Sequence, residues 1–180
     1  MSLRVARRMD GVERTLIRRI FDGAPPGSIN LGLGQPDLPT PPRISLGGIT
    51  GIAGGKTGYT STAGDPAVRA AIAARYPGVA TGPESVVVTI GSQEAVFASV
   101  MTLVDAGDEV LVPYPGYPAY PVVARLLGAT PVAYPLRPER GFRVDPADVV
   151  SRLTTRTRLV ILCSPSNPTG AMDLETDLEV

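Results

Sequence analysis

The chain has 180 residues, 43% of them hydrophobic, and a formal net charge of zero; that is enough for one domain with a real core and gives no electrostatic case for nucleic acid or an anionic membrane. It contains no histidine and one cysteine, Cys163, which excludes His-ligated zinc, Ser-His-Asp triads and internal disulfides and fits a reducing cytoplasm. No apolar run is long enough to span a bilayer, and the basic start at Arg4, Arg7 and Arg8 leads into Asp10 and Glu13, not into an apolar signal core.

Along the chain, Val12, Leu16, Ile17, Ile20 and Phe21 fall at helical spacing over residues 10–22, and "GAPPGS" breaks that helix. "INLGLGQPDLPTPP" reads as a short apolar stretch followed by a Pro-rich loop. The Gly-rich run from Ile44 to Gly55 has no clear assignment, because each interior glycine weakens a helix by about 1 kcal/mol relative to alanine. From there the pattern becomes regular. Asp65-Pro66 is a helix start, an N-cap residue followed by proline at the first helical position, and Pro77-Gly78 is its stop. Ser85–Ile90 is a β-branched strand, and a helix runs from Gln93 to Val104. Strands at Glu109–Val112, Pro131–Tyr134 and Leu159–Cys163 alternate with a helix closed by Gly128 and a short one capped by Asp145. Strands apolar throughout and alternating with helices define an α/β fold, a mainly parallel sheet buried between two helical layers.

Ligands of such sheets bind beyond the carboxyl ends of the strands, and three of those ends carry chemistry. In "TIGSQEA", Gly91 and Ser92 precede a helix whose free amides would attract phosphate; the alternative is an ordinary strand-to-helix loop. In "VPYPGYPAY", Tyr114, Tyr117 and Tyr120 offer flat platforms for an aromatic ring; the alternative is core filling. In "LCSPSNPTGAM", Asn167 is stiffened by Pro168 and aimed by a rigid corner; the alternative is a turn cap. On successive strands of one sheet, the three together describe a pocket for a phosphorylated aromatic ring.

Those stretches, with "GYTSTAGDPAVRAAI" and "DAGDEVLVPYPGYPAY", resemble the N-terminal half of the class I/II aminotransferases, fold-type I enzymes that use pyridoxal 5'-phosphate, and the resemblance covers nearly the whole chain. It implies a partial large domain of that three-layer αβα fold. Residues 1–45 would be an N-terminal arm and substrate-side loop, and 46–180 an incomplete cofactor-binding large domain. It implies that Gly91, Ser92 and Gln93 hold the cofactor phosphate, Ser92 by its side chain and Gln93 by its amide. Tyr117 would stack on the pyridine ring and Asn167 bond its phenolic oxygen. Gly34 would lie beside the substrate carboxylate with Asn167, and Tyr59 would reach across a homodimer interface to the partner's cofactor phosphate. The substrates implied are an amino acid and a 2-oxo acid.

The chain departs from that pattern in two places. The family's Schiff-base lysine, pyridine-nitrogen aspartate and carboxylate-binding arginine follow the "NPTG" turn, where this sequence has only residues 171–180; Lys56 is its one lysine and matches no catalytic position. The 180 residues are therefore expected to be inactive alone. The family has a helix where Ile44–Gly55 is Gly-rich. In the family sheet, later strands also separate the one like Ser85–Ile90 from the rest, so that strand is expected to lack its neighbours while the other three still cluster in parallel. A lyase or decarboxylase using the same cofactor, a non-catalytic interaction module and a generic nucleotide-binding domain are the competing readings.

Overall fold

β1 (Glu109–Tyr114) lies between β2 (Thr130–Pro135) and β3 (Thr157–Val160), all parallel, in the order β2-β1-β3. This is the cluster of three strands expected from the sequence. The computed structural model describes residues 4–29, 31–32 and 34–177. Its two compact units are Met1–Thr15 with Gly91–Val180, which holds the sheet, and Leu16–Ile90.

Alternation along β1 builds two cores. Val110 and Val112 face one side, with Val100 and Val104 at the end of α4 (Gly91–Leu103) and Tyr120, Val123 and Ala124 of α5 (Ala119–Leu126). Leu111 faces the other, with Tyr134, Leu136 and Val144. Successive side chains of a strand point to opposite faces, so a central strand covered on both sides is apolar through its middle, here Val110, Leu111 and Val112. The Tyr134 hydroxyl donates to the Ile161 carbonyl across 2.7 Å, which ties β2 to the end of β3 from within that second core. The short helix α6 (Pro146–Val150) starts as expected, with the Asp145 carboxylate accepting from the Ala147 amide at 3.0 Å.

The Leu16–Ile90 unit holds α1 (Leu16–Asp22), α2 (Pro42–Ala53) and α3 (Pro66–Arg75). α1 begins later than the periodicity over 10–22 implied. Asp65 caps α3, accepting from the amides of Ala67 at 2.8 Å and Val68 at 3.1 Å. The Gly-rich stretch is a helix, contrary to its composition. Pro42 sits at the first helical position, and Gly54 and Gly55 close the far end, donating to Thr50 and Ile52 carbonyls. Good start and stop signals outweigh the interior glycines here.

Ser85–Ile90 is not a strand, which corrects that expectation. Pro83–Ser85 is a turn of 3-10 helix, and the backbone beyond it is used inside its own unit: the Val88 amide donates to the Ala63 carbonyl at 2.9 Å, and Arg69 Nε to the Val86 carbonyl at 2.8 Å. β propensity supplies a preference for extended backbone, but a ladder needs a neighbouring strand, and among the described residues the sheet is β2-β1-β3.

Candidate functional site

Beyond the carboxyl end of β1 the chain turns through Pro115-Gly116-Tyr117 into α5. Gly116 is required by close approach. A Cβ there would lie 2.3 Å from the Pro113 carbonyl oxygen, so any side chain would push the turn open. The turn presents Tyr117 half-buried, its ring edge-on to Tyr120 at 5.4 Å between centroids and 81° between planes. The Tyr117 hydroxyl donates to Gln93 Oε1 at 3.4 Å, a contact at the long end of hydrogen-bond range. The β1 tip and the start of α4 are thereby brought together.

Gly91 opens α4 at φ +75°, a left-handed conformation that strains any side chain. A Cβ at Gly91 would meet no heavy atom within 4 Å, so the space over this helix start is open. Thirteen residues of helix stand behind it, with Ser92 and Gln93 exposed in the first turn. The aligned peptide dipoles of a helix favour negative charge at such a terminus. The Ser92 hydroxyl makes no hydrogen bond among the described residues.

The third strand end is a braced corner. Cys163 is half-buried against Tyr120, which lies in the core below Tyr117. Burial, and then the hydrogen bond with Cys163, push the Tyr120 phenol up to about 12. Beyond Cys163, the Ser166 amide donates to the Ala171 carbonyl and the Gly170 amide to the Ser166 carbonyl, each at 2.7 Å. The Ser164–Pro165 and Asn167–Pro168 peptides are both cis. The segment after the turn is tied down as well. Asp173 accepts from the Val144 amide at 2.8 Å, and the buried Asp177 carboxylate accepts from Arg143 Nη1 at 3.0 Å. Asn167 itself is exposed, and its side-chain amide is unbonded among the described residues. The corner is thus rigid where it is anchored and free at the amide it presents.

The structure links Gln93 and Tyr117 directly, and Tyr117 to the Asn167 corner through Tyr120 and Cys163. A hollow of about 420 Å3 opens beside Gln93 and Tyr117, floored by Phe97, Val122 and Leu126; neither Ser92 nor Asn167 lines it. Gly34 and Tyr59 belong to the Leu16–Ile90 unit, where both are exposed, Tyr59 entirely so. Sequence reasoning missed Gly116 and the Asp173 and Asp177 braces. "PYPG" was the available signal for the first; the second had none, because its partners lie about thirty residues upstream.

Among the described residues no group of acidic and sulfur ligands could hold a metal, and no helix is long and apolar enough to cross a membrane. The helix N-terminus at Gly91, the Tyr117 platform beyond β1 and the unbonded Asn167 amide beyond β3 are the site features of this α/β protein. The sequence matches the aminotransferase class I and II family over residues 26–179, and the chain belongs to that family. It is 44% identical over 158 residues to a probable N-succinyldiaminopimelate aminotransferase of Mycobacterium tuberculosis, covering 84% of this chain and 40% of that protein. To the aspartate aminotransferase of Pyrococcus horikoshii it is 34% identical over 172 residues, covering 93% and 44%. Among solved structures, the N-succinyldiaminopimelate aminotransferase of M. tuberculosis superimposes with a TM-score of 0.88 at 38% identity, over 97% of this chain and 47% of that one. Thermus thermophilus aspartate aminotransferase with maleate gives 0.89 at 31%, over 98% and 49%. The chain spans less than half the length of these relatives. The similarity to fold-type I structures bears out the fold class read from the sequence, a partial αβα domain.

Proposed function

We propose that these 180 residues are the N-terminal, cofactor-cradling part of a pyridoxal-phosphate-dependent aminotransferase that moves an amino group between an amino acid and a 2-oxo acid. The observation that carries this is the Tyr117–Gln93 contact, which sets an aromatic platform beside an open helix N-terminus. The residues present suit the group: an anion cradle for its phosphate, a ring face for its pyridine and a free amide for its phenolic oxygen.

Gly91, the Ser92 hydroxyl and the Gln93 amide would hold the phosphate. The Tyr117 ring would cover one pyridine face and keep water from it. Asn167 would donate to the phenolic oxygen, fixing the ring's rotation, and with Gly34 would border the substrate carboxylate. Tyr59, fully exposed in its own unit, would reach the phosphate held by a second copy in a homodimer. Pyridoxal phosphate, when bound, supplies the electron sink for the transfer. Lys56 is exposed and matches no catalytic position of the family, so the chain's own residues bind and orient while covalent attachment falls outside them. In functional terms, 1–45 is an arm and substrate-side loop and 46–180 the cofactor-binding part.

Equilibrium dialysis with pyridoxamine 5'-phosphate tests this, since that ligand needs no lysine. Saturable binding, competed by inorganic phosphate and weakened in Asn167→Ala, is expected. Binding that ignores both phosphate and Asn167→Ala would overturn the assignment. A lyase or decarboxylase built on the same cofactor would share the cradle; which substrate is turned over by a full-length relative of this sequence separates the two.

A further inference from the structure

A second hollow, of about 340 Å3, lies on the β2 side of α5. Its wall is Tyr114, Pro118, Pro121, Pro131 and Ala133, its one charged lining residue is Arg125, and no acidic side chain lines it. The volume falls in the range of small-molecule sites, which are mostly apolar with a few placed polar groups. It shares Tyr117 with the cofactor corner but neither Ser92 nor Asn167.

Arg125 stands apart from the other arginines of this part of the chain. Arg137, Arg140, Arg143, Arg152 and Arg156 each hold a carboxylate, and Arg158 donates to the Leu103 carbonyl. The Arg125 guanidinium has no such partner among the described residues and stands exposed at the hollow. Tyr114, the last residue of β1, is 71% exposed although the five residues before it in the strand are buried. An unpaired guanidinium and an uncovered phenol ring thus share one Pro-lined slot. Guanidinium pairs with a carboxylate through two parallel hydrogen bonds, while tyrosine and proline faces take a flat ring.

We infer that this hollow binds a small aromatic carboxylate, its carboxylate on Arg125 and its ring against Tyr114 and the proline wall. The site is separate from the proposed cofactor cradle and does not depend on that reading. Titration of the 180-residue chain with benzoate, followed by amide NMR, tests it, with benzylamine and acetate as controls. Saturable shifts centred on Tyr114, Arg125 and Ala133 are expected with benzoate and with neither control. Arg125→Gln, a surface change that leaves the core untouched, is expected to weaken benzoate binding by about tenfold, in line with loss of a charge-assisted pair. Tyr114→Ala is expected to weaken it as well. Pyridoxamine phosphate binding should be the same in Arg125→Gln as in the parent chain, so the two sites are judged separately. Absence of benzoate shifts up to its solubility, equal shifts with benzylamine, or unchanged affinity in Arg125→Gln would each overturn the inference.

Discussion

Tyr117 donates its hydroxyl to Gln93 Oε1 at 3.4 Å, joining residues 24 apart in sequence at the ends of different elements. The bond is long and half-exposed, so its own energy is small; its value is positional. Tyr117→Phe should therefore change pyridoxamine phosphate affinity little, whereas Tyr117→Ala should lose the ring platform, about 0.5–1.5 kcal/mol beyond the lost area. Isothermal titration of the two variants reads the difference. Equal losses would show that the hydroxyl, not the ring, carries the role.

Asn167→Ala should weaken the same ligand by about 1.5–3 kcal/mol, the range for a hydrogen bond to a charged group. Its thermal midpoint should stay where it was, because the Asn167 side chain is exposed and bonded to no described residue. A fall in stability matching the fall in affinity would recast Asn167 as a turn cap.

Gly116→Ala should cost about 1–3 kcal/mol, because a Cβ placed 2.3 Å from the Pro113 carbonyl oxygen forces the turn to move. Chemical denaturation measures that cost. The same shift would carry Tyr117 with it, so ligand affinity should fall in parallel. Ser166→Ala is the contrasting case: the buried Ser166 hydroxyl has no partner among the described residues, and removing it should leave stability unchanged or slightly raised.

Stability should fall at both extremes of pH, for separate reasons. Thr154 Oγ1 donates to Glu109 Oε2 at 2.6 Å, and Arg156 Nε to Oε1 at 3.0 Å. The Thr154 hydroxyl first, and the Arg156 guanidinium second, hold the Glu109 carboxyl below its ordinary 4.5. A lowered folded value means the contribution is whole above the ordinary value and lost as pH falls through the folded one. Glu109→Gln should thus be less stable than the parent at neutral pH, with the gap closing in acid. Tyr120, raised to about 12, runs the other way: its contribution is whole below the ordinary tyrosine value and lost as pH rises through about 12, and Tyr120→Phe should remove that alkaline loss. Thermal melts across pH decide both.

Amides at Val86 and Val88 should exchange with solvent much faster than those of Leu111 and Val112. The first pair sits on isolated bonds in exposed or half-buried chain, while the second is laddered in the central strand of the sheet. Hydrogen exchange read by NMR would reject this if protection were equal.

The sequence by itself determined what depends on near neighbours. Asp65 and Asp145 announced their helices because a capping side chain bonds amides two or three residues on. The apolar runs at Glu109–Val112, Pro131–Tyr134 and Leu159–Cys163 announced a parallel sheet because strands covered on both faces are apolar through their middle. The motifs of "GSQ", "GYP" and "SNPTG" announced the family. Tertiary structure alone decided the rest. Ser85–Ile90 has the composition of a strand but forms none, because a strand exists only in a pair. The Gly-rich α2 forms because its ends are well signalled, although its composition argues against it. The Tyr117–Gln93 contact, the Asp177–Arg143 brace and the unpartnered Arg125 depend on which distant residues the folded path brings near, and no spacing along the chain encodes that.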